Sequence, residues 1–417
     1  MSSYIESADA MALFSGAGAS AKWVRNAAGV YTQVGAGEFA RTDYGLQVEG
    51  TSANGIRNDS MQVAVAGTPG SPPANWAVTS SGNGLTREIV GVGTENGLDY
   101  FDVRYYGTTT ASTDIAIRSE AINQIAAAVG QTWTSSYFLK KVAGDASVFS
   151  LAYVYLGASN GTSQTEAFAS SNINFTTTLT RYWITGTLAV GTTTHVYNNT
   201  IFRIPTATVV DVTLRVAAPQ IEQKAYPTSP IRTTTAAVTR LADNPVRAIT
   251  GFPTDRILLI AKGRTAKGQS GSSHQFIAQW DDGTSNNRHS LYRTYATGKL
   301  LYEVVAGGAG QASVNITASA FGHDTEFCIA AFAEQDNFLT SCNGVSGASD
   351  TSGLLPTGVV QERLGHYSAG SFNFDGFLRA VLVAQVPSAL TMDQATLNAI
   401  TSGKAALGSK FRYPLAA

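Results

Sequence analysis

Paired carboxylates are the residues here that could do acid–base chemistry on a sugar, because a glycoside hydrolase needs two of them facing each other across a cleft. Asp281 stands beside Asp282, and Asp99 stands close to Asp102. Asp281-Asp282-Gly283 is typical of a hairpin turn, in which Asp and Gly supply the bend. Asp99 and Asp102 begin a predicted strand, where their side chains diverge. The sequence therefore predicts no catalytic pair.

Other catalytic and metal-binding patterns are weaker. A Ser-His-Asp triad stays open on the sequence alone, but no Gly-x-Ser-x-Gly elbow stands between a strand and a helix. The five histidines occur singly, and each is expected to be structural. The glycine-rich residues 307–310 are expected to form a turn rather than a phosphate-binding loop. We therefore expect no enzyme and no cofactor.

The two cysteines, Cys328 and Cys342, flank a predicted hairpin with strands at 327–333 and 337–343 and a turn at 334–336. A three-residue loop would place the two thiols nearly opposite each other. Two reduced, packed thiols are the favoured expectation because cytosolic disulfides are rare, and a cross-strand disulfide is the alternative. Neither cysteine has a His at metal-ligand spacing, so a zinc site is not expected.

Aromatic side chains support binding better than these residues support catalysis. A sugar ring stacks its apolar face on an aromatic ring, while amides and carboxylates hydrogen-bond its hydroxyls. Tyr153 and Tyr155 share a strand face by the two-residue period of a strand, and Trp183 lies on a later predicted strand. The second half of the chain offers five candidates beside polar loops: Trp280, Tyr292, Tyr295, His366 and Tyr367. The alternative for all eight is packing inside a core or under a loop.

Composition favours β-sheet over helix. The 417 residues suffice for two or three domains. Only 14% are charged, and the many Gly, Ser and Thr suit turns and exposed strand faces. A formal net charge of −1 gives no electrostatic footprint for nucleic acid or an anionic membrane. No apolar run approaches the roughly 18 residues of a membrane span, so no membrane insertion is expected.

The N-terminal residues, Met1 to Glu6, lack a basic region followed by an apolar one. We therefore expect no signal peptide, and folding in a cytoplasm.

Short strands between Gly, Ser, Asn and Asp turns account for most of the chain, which predicts an all-β fold of sandwiches or jelly rolls. Helical periodicity is confined to two windows. One runs over residues 122–129, with Ser119 as its cap and Gly130 as its stop. The other begins with the capping box Thr391-Met392-Asp393-Gln394 and ends at Gly403.

Two breaks divide the chain. Residues 67–73 contain three prolines, which remove ladder donors and cannot sit inside a sheet. Residues 226–245 form a second break, which reads as an extended linker between two sandwiches. The predicted division is an N-terminal segment (1–74), a first sandwich (75–232), a linker (233–246) and a second sandwich (247–417).

Three stretches carry a resemblance to structural proteins of bacteriophages. Residues 219–243, with "PQIEQKAYPTSPI" and later "AVTRLAD", resemble a segment that closes a carbohydrate-binding-module-like jelly roll in that family. Residues 40–54, "ARTDYGLQVEGTSAN", are similar to an N-terminal segment of head-spike, head-fibre and tail-fibre proteins, although Arg gives way to Ser52-Ala53 here and the spacer is shorter. Residues 363–384 resemble the last strands of laminin-G or concanavalin-like sandwiches.

The resemblance implies an N-terminal attachment segment, a jelly roll and a laminin-G-like sandwich, in that order. It also implies a strand at 124–128, where periodicity predicts a helix, and we favour the strand because tertiary context overrides propensity. In laminin-G-like and concanavalin-like domains, loops such as those near Trp280 and Tyr367 often hold ligand, sometimes with calcium.

The functional expectation is a virion surface appendage, assembled in the host cytoplasm. Its N-terminal segment would contact other virion proteins, and its sandwiches would bind host surface polysaccharide. A homo-oligomer, with a trimer favoured, would multiply weak sugar contacts and protect sheet edges. One alternative is a purely structural decoration or baseplate protein, and another is a polysaccharide depolymerase.

Overall fold

The structure is a computed structural model that describes residues 13–26, 28–268, 273–367 and 372–403. The expectation about a signal peptide concerns residues 1–6, which lie outside these ranges. Strands dominate the described chain, and no helix in it is long and apolar enough to cross a membrane.

The strands are short and closely spaced along the chain. The first five are β1 (Lys22–Arg25), β2 (Tyr31–Val34), β3 (Ala40–Thr42), β4 (Gly45–Val48) and β5 (Ser52–Asn54). The next eleven are β6 (Ala77–Val78), β7 (Leu85–Glu95), β8 (Leu98–Thr108), β9 (Thr113–Arg118), β10 (Ile125–Ala126), β11 (Thr132–Gly144), β12 (Leu151–Ser159), β13 (Gln164–Ala169), β14 (Thr180–Thr187), β15 (His195–Ile204) and β16 (Val209–Glu222).

The remaining strands come from the C-terminal part of the chain, and an α-helix follows them. They are β17 (Val238–Arg240), β18 (Val246–Ala248), β19 (Ile257–Arg264), β20 (Gln275–Asp281), β21 (Arg288–Arg293), β22 (Leu300–Ala306), β23 (Ala309–Asn315), β24 (Glu326–Glu334), β25 (Asn337–Cys342), β26 (Val345–Asp350), β27 (Gln361–Leu364), β28 (Gly376–Gln385) and α1 (Gln394–Thr401). A 3₁₀ turn covers Ala146–Val148.

The chain folds into two compact units. The jelly-roll unit consists of Lys22–Gln33 and Ser52–Arg240. The sandwich unit consists of the described parts of Met1–Ala21, Val34–Thr51 and Leu241–Ala417.

The jelly-roll unit contains two antiparallel sheets. Their strand orders are β13-β12-β15-β9-β6, with β10 also paired to β15, and β14-β11-β16-β8-β7. With β8 and β9 numbered one and two, β11 to β16 become strands three to eight, and the sheets read 2-7-4-5 and 1-8-3-6. Early and late strands interleave in this way in the double Greek key of a jelly roll, so the predicted all-β fold is confirmed.

Alternation of apolar and polar residues turns one face of each sheet inward. In β12, Ala152, Val154 and Leu156 are buried, while Tyr153 and Tyr155 point the other way. The inward residues of both sheets form one apolar core that includes Phe101, Tyr137 and Phe202. The outer face of the β14-β11-β16-β8-β7 sheet is partly covered, since Tyr31 packs on Phe138 there.

The window at residues 122–129 contains a strand rather than a helix, as the family resemblance implied. Ile125 pairs with Val196 in β15. Ser119, the expected helix cap, instead hydrogen-bonds the hydroxyl of Tyr137 at 2.9 Å and the amide oxygen of Asn198 at 2.8 Å inside the core. Burying these groups needs such partners, and they hold this segment against the sheet.

The sandwich unit also contains two antiparallel sheets. The front sheet has the order β18-β27-β20-β21-β22-β23, and the back sheet has the order β26-β25-β24-β19-β28-β4-β3. The core between them includes Leu259, Trp280 and Tyr302. Helix α1 packs Leu397 and Ile400 on the outer face of the back sheet. Among the described residues, no helix lies on the outer face of the front sheet.

The units do not follow the predicted boundaries at the N-terminal end. Strands β3 and β4 extend the back sheet beside β28, whereas residues 52–74 belong to the jelly-roll unit. The predicted linker is also structured, since β17 pairs with β5.

Buried carboxylates hold the linker segment in place. Asp59 accepts the amide of Thr233 at 2.7 Å, and Asp243 accepts the amides of Gly18 and Glu49. Extended backbone can be buried where such acceptors satisfy its amides.

The expected opposition of the two thiols is wrong. Both are free, and Cys342 pairs with Ile329 on the core side of the back sheet. Successive residues of a strand face opposite ways, so Cys328 points to the outer face. The turn contains two residues between β24 and β25 instead of the predicted three, and this one-residue change moves one thiol to the other face.

Candidate functional site

The eight aromatic candidates lie in four different places. Trp280 is fully buried, and its indole Nε1 donates to Glu362 Oε1 at 3.0 Å. His366 is 1% exposed, with Nε2 3.1 Å from the Pro245 carbonyl oxygen, and burial lowers its pKa. These two residues stabilise the sandwich unit and cannot contact a ligand from where they lie.

Tyr292, Tyr295 and Tyr367 come together on the outer face of the front sheet. We call the whole group of rings there the front aromatic cluster. Its members are His274, Phe276, Tyr292, Tyr295, Tyr367 and Phe372. Tyr295 and Phe372 are 43% and 39% exposed, so the cluster has an accessible edge.

The rings contact one another in a chain. Phe276 and Tyr292 are cross-strand partners whose rings stack with centroids 4.8 Å apart at 17°. The His274 ring lies 4.9 Å from Tyr292 and 5.0 Å from Tyr295, edge-on to both. The Tyr367 ring lies 4.9 Å from Phe276. Such contacts fix ring orientation, which prepares a surface for stacking before a ligand arrives.

A β-bulge in β20 turns Phe276 outward. The pairing of β20 with β21 shifts between Phe276 and Ala278, so Ile277 and Ala278 both enter the core. Strict alternation from the buried Trp280 would have placed Phe276 inside the core. The extra residue reverses the face and puts Phe276 beside Tyr292.

Charged groups border the front aromatic cluster. Arg288 lies 5.6 Å from the centre of the Tyr367 ring and donates to Glu303 Oε2 at 2.7 Å. Burial raises the pKa of Tyr292, and the nearby Glu303 carboxylate raises it further. Burial lowers the pKa of His274, so its ring is neutral near pH 7. Within the described chain, Arg288 Nε and His274 Nδ1 are buried without a hydrogen-bond partner.

The side chains of this arrangement are of the types that bind sugars non-covalently. The exposed rings offer an apolar platform, and the carboxylate and guanidinium that border the cluster can hydrogen-bond hydroxyl groups. Arg288 Nε and His274 Nδ1 could also hydrogen-bond a ligand. Leaving them buried without a partner costs free energy, which such a ligand would recover.

Tyr153 and Tyr155 lie on the outer face of the jelly-roll unit, next to Tyr197. Their ring centroids are 6.3 Å (Tyr153–Tyr155) and 6.1 Å (Tyr155–Tyr197) apart, and we call these three the tyrosine row. The hydroxyls of Tyr155 and Tyr197 both donate to Gln164 Oε1, at 2.5 and 2.7 Å. A Cβ on Gly157 would meet the Tyr197 ring at 2.2 Å, so glycine is needed for this ring to lie across β12.

Trp183 lies apart from the tyrosine row. It is 38% exposed on β14, in the other sheet of the jelly-roll unit, and pairs with Ser136. No other aromatic ring contacts it among the described residues. A lone exposed tryptophan is a weaker site than a group of rings.

The four carboxylates considered for catalysis have structural partners. Asp281 is fully buried and accepts from the side chains of Gln279, Gln361 and Arg363. Burial raises the pKa of Asp282, but hydrogen bonds from Thr284 and Asn287 outweigh it, and the net shift is downward.

The other pair is engaged by arginines. Asp99 pairs with Arg232, and Asp102 accepts from Arg215 Nε at 2.8 Å and Nη2 at 2.7 Å. A catalytic pair needs two carboxylates that face one cleft, and these two carboxylates are instead held by arginines.

No group of three or more metal-binding side chains occurs within the described ranges. The described residues therefore offer no cluster of side-chain ligands for the calcium ion that the sequence left open.

Sequence reasoning missed half of the front aromatic cluster and one ring of the tyrosine row. The sequence predicts a strand at 274–280, which gives His274 and Phe276 no role beyond that strand, and Phe372 stands in a Gly/Ser-rich stretch. Tyr197 could have been found, because His195, Tyr197 and Asn199 follow the two-residue period. Phe276 could not, because the bulge that turns it outward leaves no local signal.

Comparisons with known proteins add a likeness of fold alone. No family model matches the sequence, and no curated protein matches it. Among solved structures, a heptameric SAP-like pentraxin from Limulus polyphemus is 12% identical, with a TM-score of 0.29, over 41% of this chain and 79% of that chain. Domains LG4-5 of the mouse laminin α1 chain are 11% identical, with a TM-score of 0.26, over 73% of this chain and 94% of that one. At these TM-scores the likeness carries no argument about function, and the β-sandwich architecture rests on the strand pairing itself.

Proposed function

We propose that this protein is a virion appendage, a head spike, head fibre or tail fibre, that binds host surface polysaccharide during attachment. The observation that carries the binding half of the proposal is the front aromatic cluster, which has an exposed ring at Tyr295 and is bordered at Tyr367 and Tyr292 by the Arg288–Glu303 ion pair. The virion half comes from the resemblance of residues 219–243 and 40–54 to phage structural proteins.

The proposal includes other virion proteins as partners of the N-terminal segment and a homo-oligomer, with a trimer favoured. Residues 13–51 of that segment contribute β1 to β4, so an attachment surface there would be built on folded strands. A symmetric oligomer would raise the avidity of weak sugar contacts without new contacts at each site.

A binding experiment tests the proposal. The purified full chain is applied to an array of bacterial envelope polysaccharides, and any polymer bound is retested with Tyr295→Ala. Tyr295 is partly exposed and its ring contacts His274, so its loss should weaken binding by roughly tenfold, or about 1.4 kcal/mol, the scale of an important contact residue in a binding site. The matched control is Trp183→Ala, which removes an exposed ring from the other unit and should leave that binding unchanged.

Two outcomes would count against the proposal. Equal weakening by Trp183→Ala and Tyr295→Ala would remove the front aromatic cluster as the site. A correctly folded and assembled protein that binds no polysaccharide and no cells would leave a structural role inside the particle.

A structural decoration or baseplate protein is the second candidate, and one feature favours it. Edge strand β7 of the jelly-roll unit exposes Val90 and Val92 at 46% and 53%. An exposed apolar edge strand is a natural contact for another protein chain. The same feature also suits the proposed homo-oligomer.

A further inference from the structure

A second candidate site lies on the back of the sandwich unit, beside the C-terminal end of α1. It is an open cavity of about 400 Å³ at the ends of β19, β24 and β28. Its floor is the outer face of the back sheet, because Ala261 and Phe327 belong to the core and their neighbours Lys262 and Cys328 point away from it. We call it the back pocket.

Three cations line the back pocket. Lys262 and Arg264 lie two residues apart on β19 and so share a face, and Arg379 comes from β28. The ammonium group of Lys262 makes no hydrogen bond or ion pair with the rest of the described chain. Arg264 Nε is buried and likewise has no hydrogen-bond partner there.

A β-bulge brings Arg379 to this face. Lys262 pairs with Ala380 and Gly263 pairs with Leu378, so Arg379 is the extra residue on β28. A bulge re-aims the side chain of its extra residue. One Nη of Arg379 donates to the Asp43 carbonyl at 3.3 Å, which fixes the side chain at the pocket edge and leaves its other donors available.

The local charge is positive. Glu326 is the carboxylate in the lining. Asp324, outside the lining, lies 3.5 Å from Arg264, whose guanidinium also lies 4.9 Å from the centre of the Tyr44 ring. Three cations against these two carboxylates leave a net positive charge, which favours an anionic ligand.

The rest of the lining suits a sugar. Tyr44 supplies a ring, and Asn343, Thr401 and Ser402 supply amide and hydroxyl groups. A volume of about 400 Å³ lies within the range of small-molecule sites, roughly 300–1,000 Å³.

We propose that the back pocket binds an acidic saccharide, with the carboxylate of a hexuronate residue held by Lys262, Arg264 and Arg379. The choice of a saccharide rests on the proposed function, whereas the choice of an anion rests on the charges of the pocket. The site is separate from the front aromatic cluster, which lies on the other sheet of the sandwich unit.

Cys328 allows a direct test because its thiol lines the back pocket and is partly exposed. The full chain is treated with iodoacetamide, and the alkylation rate of each cysteine is measured by peptide mass spectrometry. Digalacturonate at ten times its dissociation constant should slow the alkylation of Cys328 about tenfold, because only the free pocket reacts. Cys342 is the internal reference, since it is buried and burial raises its pKa to about 12.

Variants connect this protection to the cations. Lys262→Met and Arg379→Met should each abolish the protection, measured as the rate ratio with and without digalacturonate within each variant. Lys141→Met removes one positive charge from the jelly-roll unit and should retain the tenfold ratio. Added salt should reduce the protection, since ionic contacts at a partly exposed site are screened.

Three results would overturn the proposal that the back pocket binds an acidic saccharide. Protection by the neutral disaccharide cellobiose equal to that by digalacturonate would exclude an anion site, and equal protection by inorganic phosphate would exclude the assignment to a saccharide. No protection at about 10 mM digalacturonate would exclude both. Tyr295→Ala should leave the protection of Cys328 intact, so a failure of the front aromatic cluster and a failure of the back pocket can be told apart.

Discussion

Single residues of one chemical type take different roles here according to their burial. Trp280 is fully buried, whereas Trp183 and Tyr295 are 38% and 43% exposed. The sequence identified all three as candidates because a ring that binds sugar and a ring that fills a core look alike in one dimension. The burial of a ring depends on which other parts of the chain pack against it. For Trp280 these include Glu362 on the neighbouring strand β27, whose carboxylate accepts a hydrogen bond from the indole.

Trp280→Ala should therefore destabilise the sandwich unit rather than act on binding alone. Removing a buried tryptophan costs about 3–5 kcal/mol, and Glu362 also loses a hydrogen-bond donor in the interior. Urea unfolding followed by circular dichroism measures the change. Trp183→Ala is the control and should cost under about 1 kcal/mol, because its side chain is already partly in water. Similar losses for the two variants would contradict the placement of Trp280.

The sequence predicts the positions of strands better than their bulges and pairing registers. The sequence predicts strands at 100–106, 136–142 and 182–188, and these ranges lie largely within β8, β11 and β14. Alternation and turn residues are local signals, and these strands carry them strongly. Bulges and registers are set by long-range packing, which explains why the outward turn of Phe276 and the register of Cys328 and Cys342 were not predictable.

The C-terminal helix shows the same difference between an element and its boundary. The sequence correctly predicts a helix ending near Gly403, but the cap is Asp393 rather than Thr391. The Asp393 carboxylate accepts the amide of Thr396 at 2.8 Å, and this bond lowers the pKa of Asp393. The helix therefore begins at Gln394, where Leu397 and Ile400 can face the back sheet.

Asp393→Ala should lower the free energy of unfolding by about 1 kcal/mol, the usual loss when a capping carboxylate is removed. Thr391→Ala should change it by a few tenths of a kcal/mol at most, because Thr391 lies before the cap. Chemical denaturation of both variants measures the difference. A larger loss in Thr391→Ala would place the cap where the sequence pattern put it.

At the scale of the whole molecule, the chain passes between the two units four times, near residues 21, 33, 51 and 240. Neither unit is a continuous stretch of sequence. The sequence suggested serial domains because proline-rich breaks are typical of linkers, yet here the break at 226–245 contains β17, which pairs with β5. Pairings between distant segments have no local signal, so this division could not be predicted.

A fragment of residues 241–417 should consequently be unstable alone. It lacks β3 and β4, which exposes the edge of β28 and removes Leu46 and Val48 from the core. Each of those side chains contributes about 1.5–3 kcal/mol through burial. Thermal unfolding should show restored stability when residues 34–51 are fused to the fragment through a flexible linker, and no restoration when that fusion carries Leu46→Asp. Equal stability with and without residues 34–51 would contradict the role of β4.

The pairing of β4 with β28 also has a consequence for synthesis on the ribosome. Arg379 donates to the carbonyl of Asp43, which is 336 residues earlier in the chain. At translation rates of about 5–20 residues per second, the N-terminal strands must wait on the order of 20 to 70 s for their partner. In the later part of that interval, β17, the last strand of the jelly-roll unit, has already emerged, while β4 still lacks its partner strand β28. Slow codons or chaperone binding before residue 376 would therefore affect the yield of the sandwich unit much more than that of the jelly-roll unit.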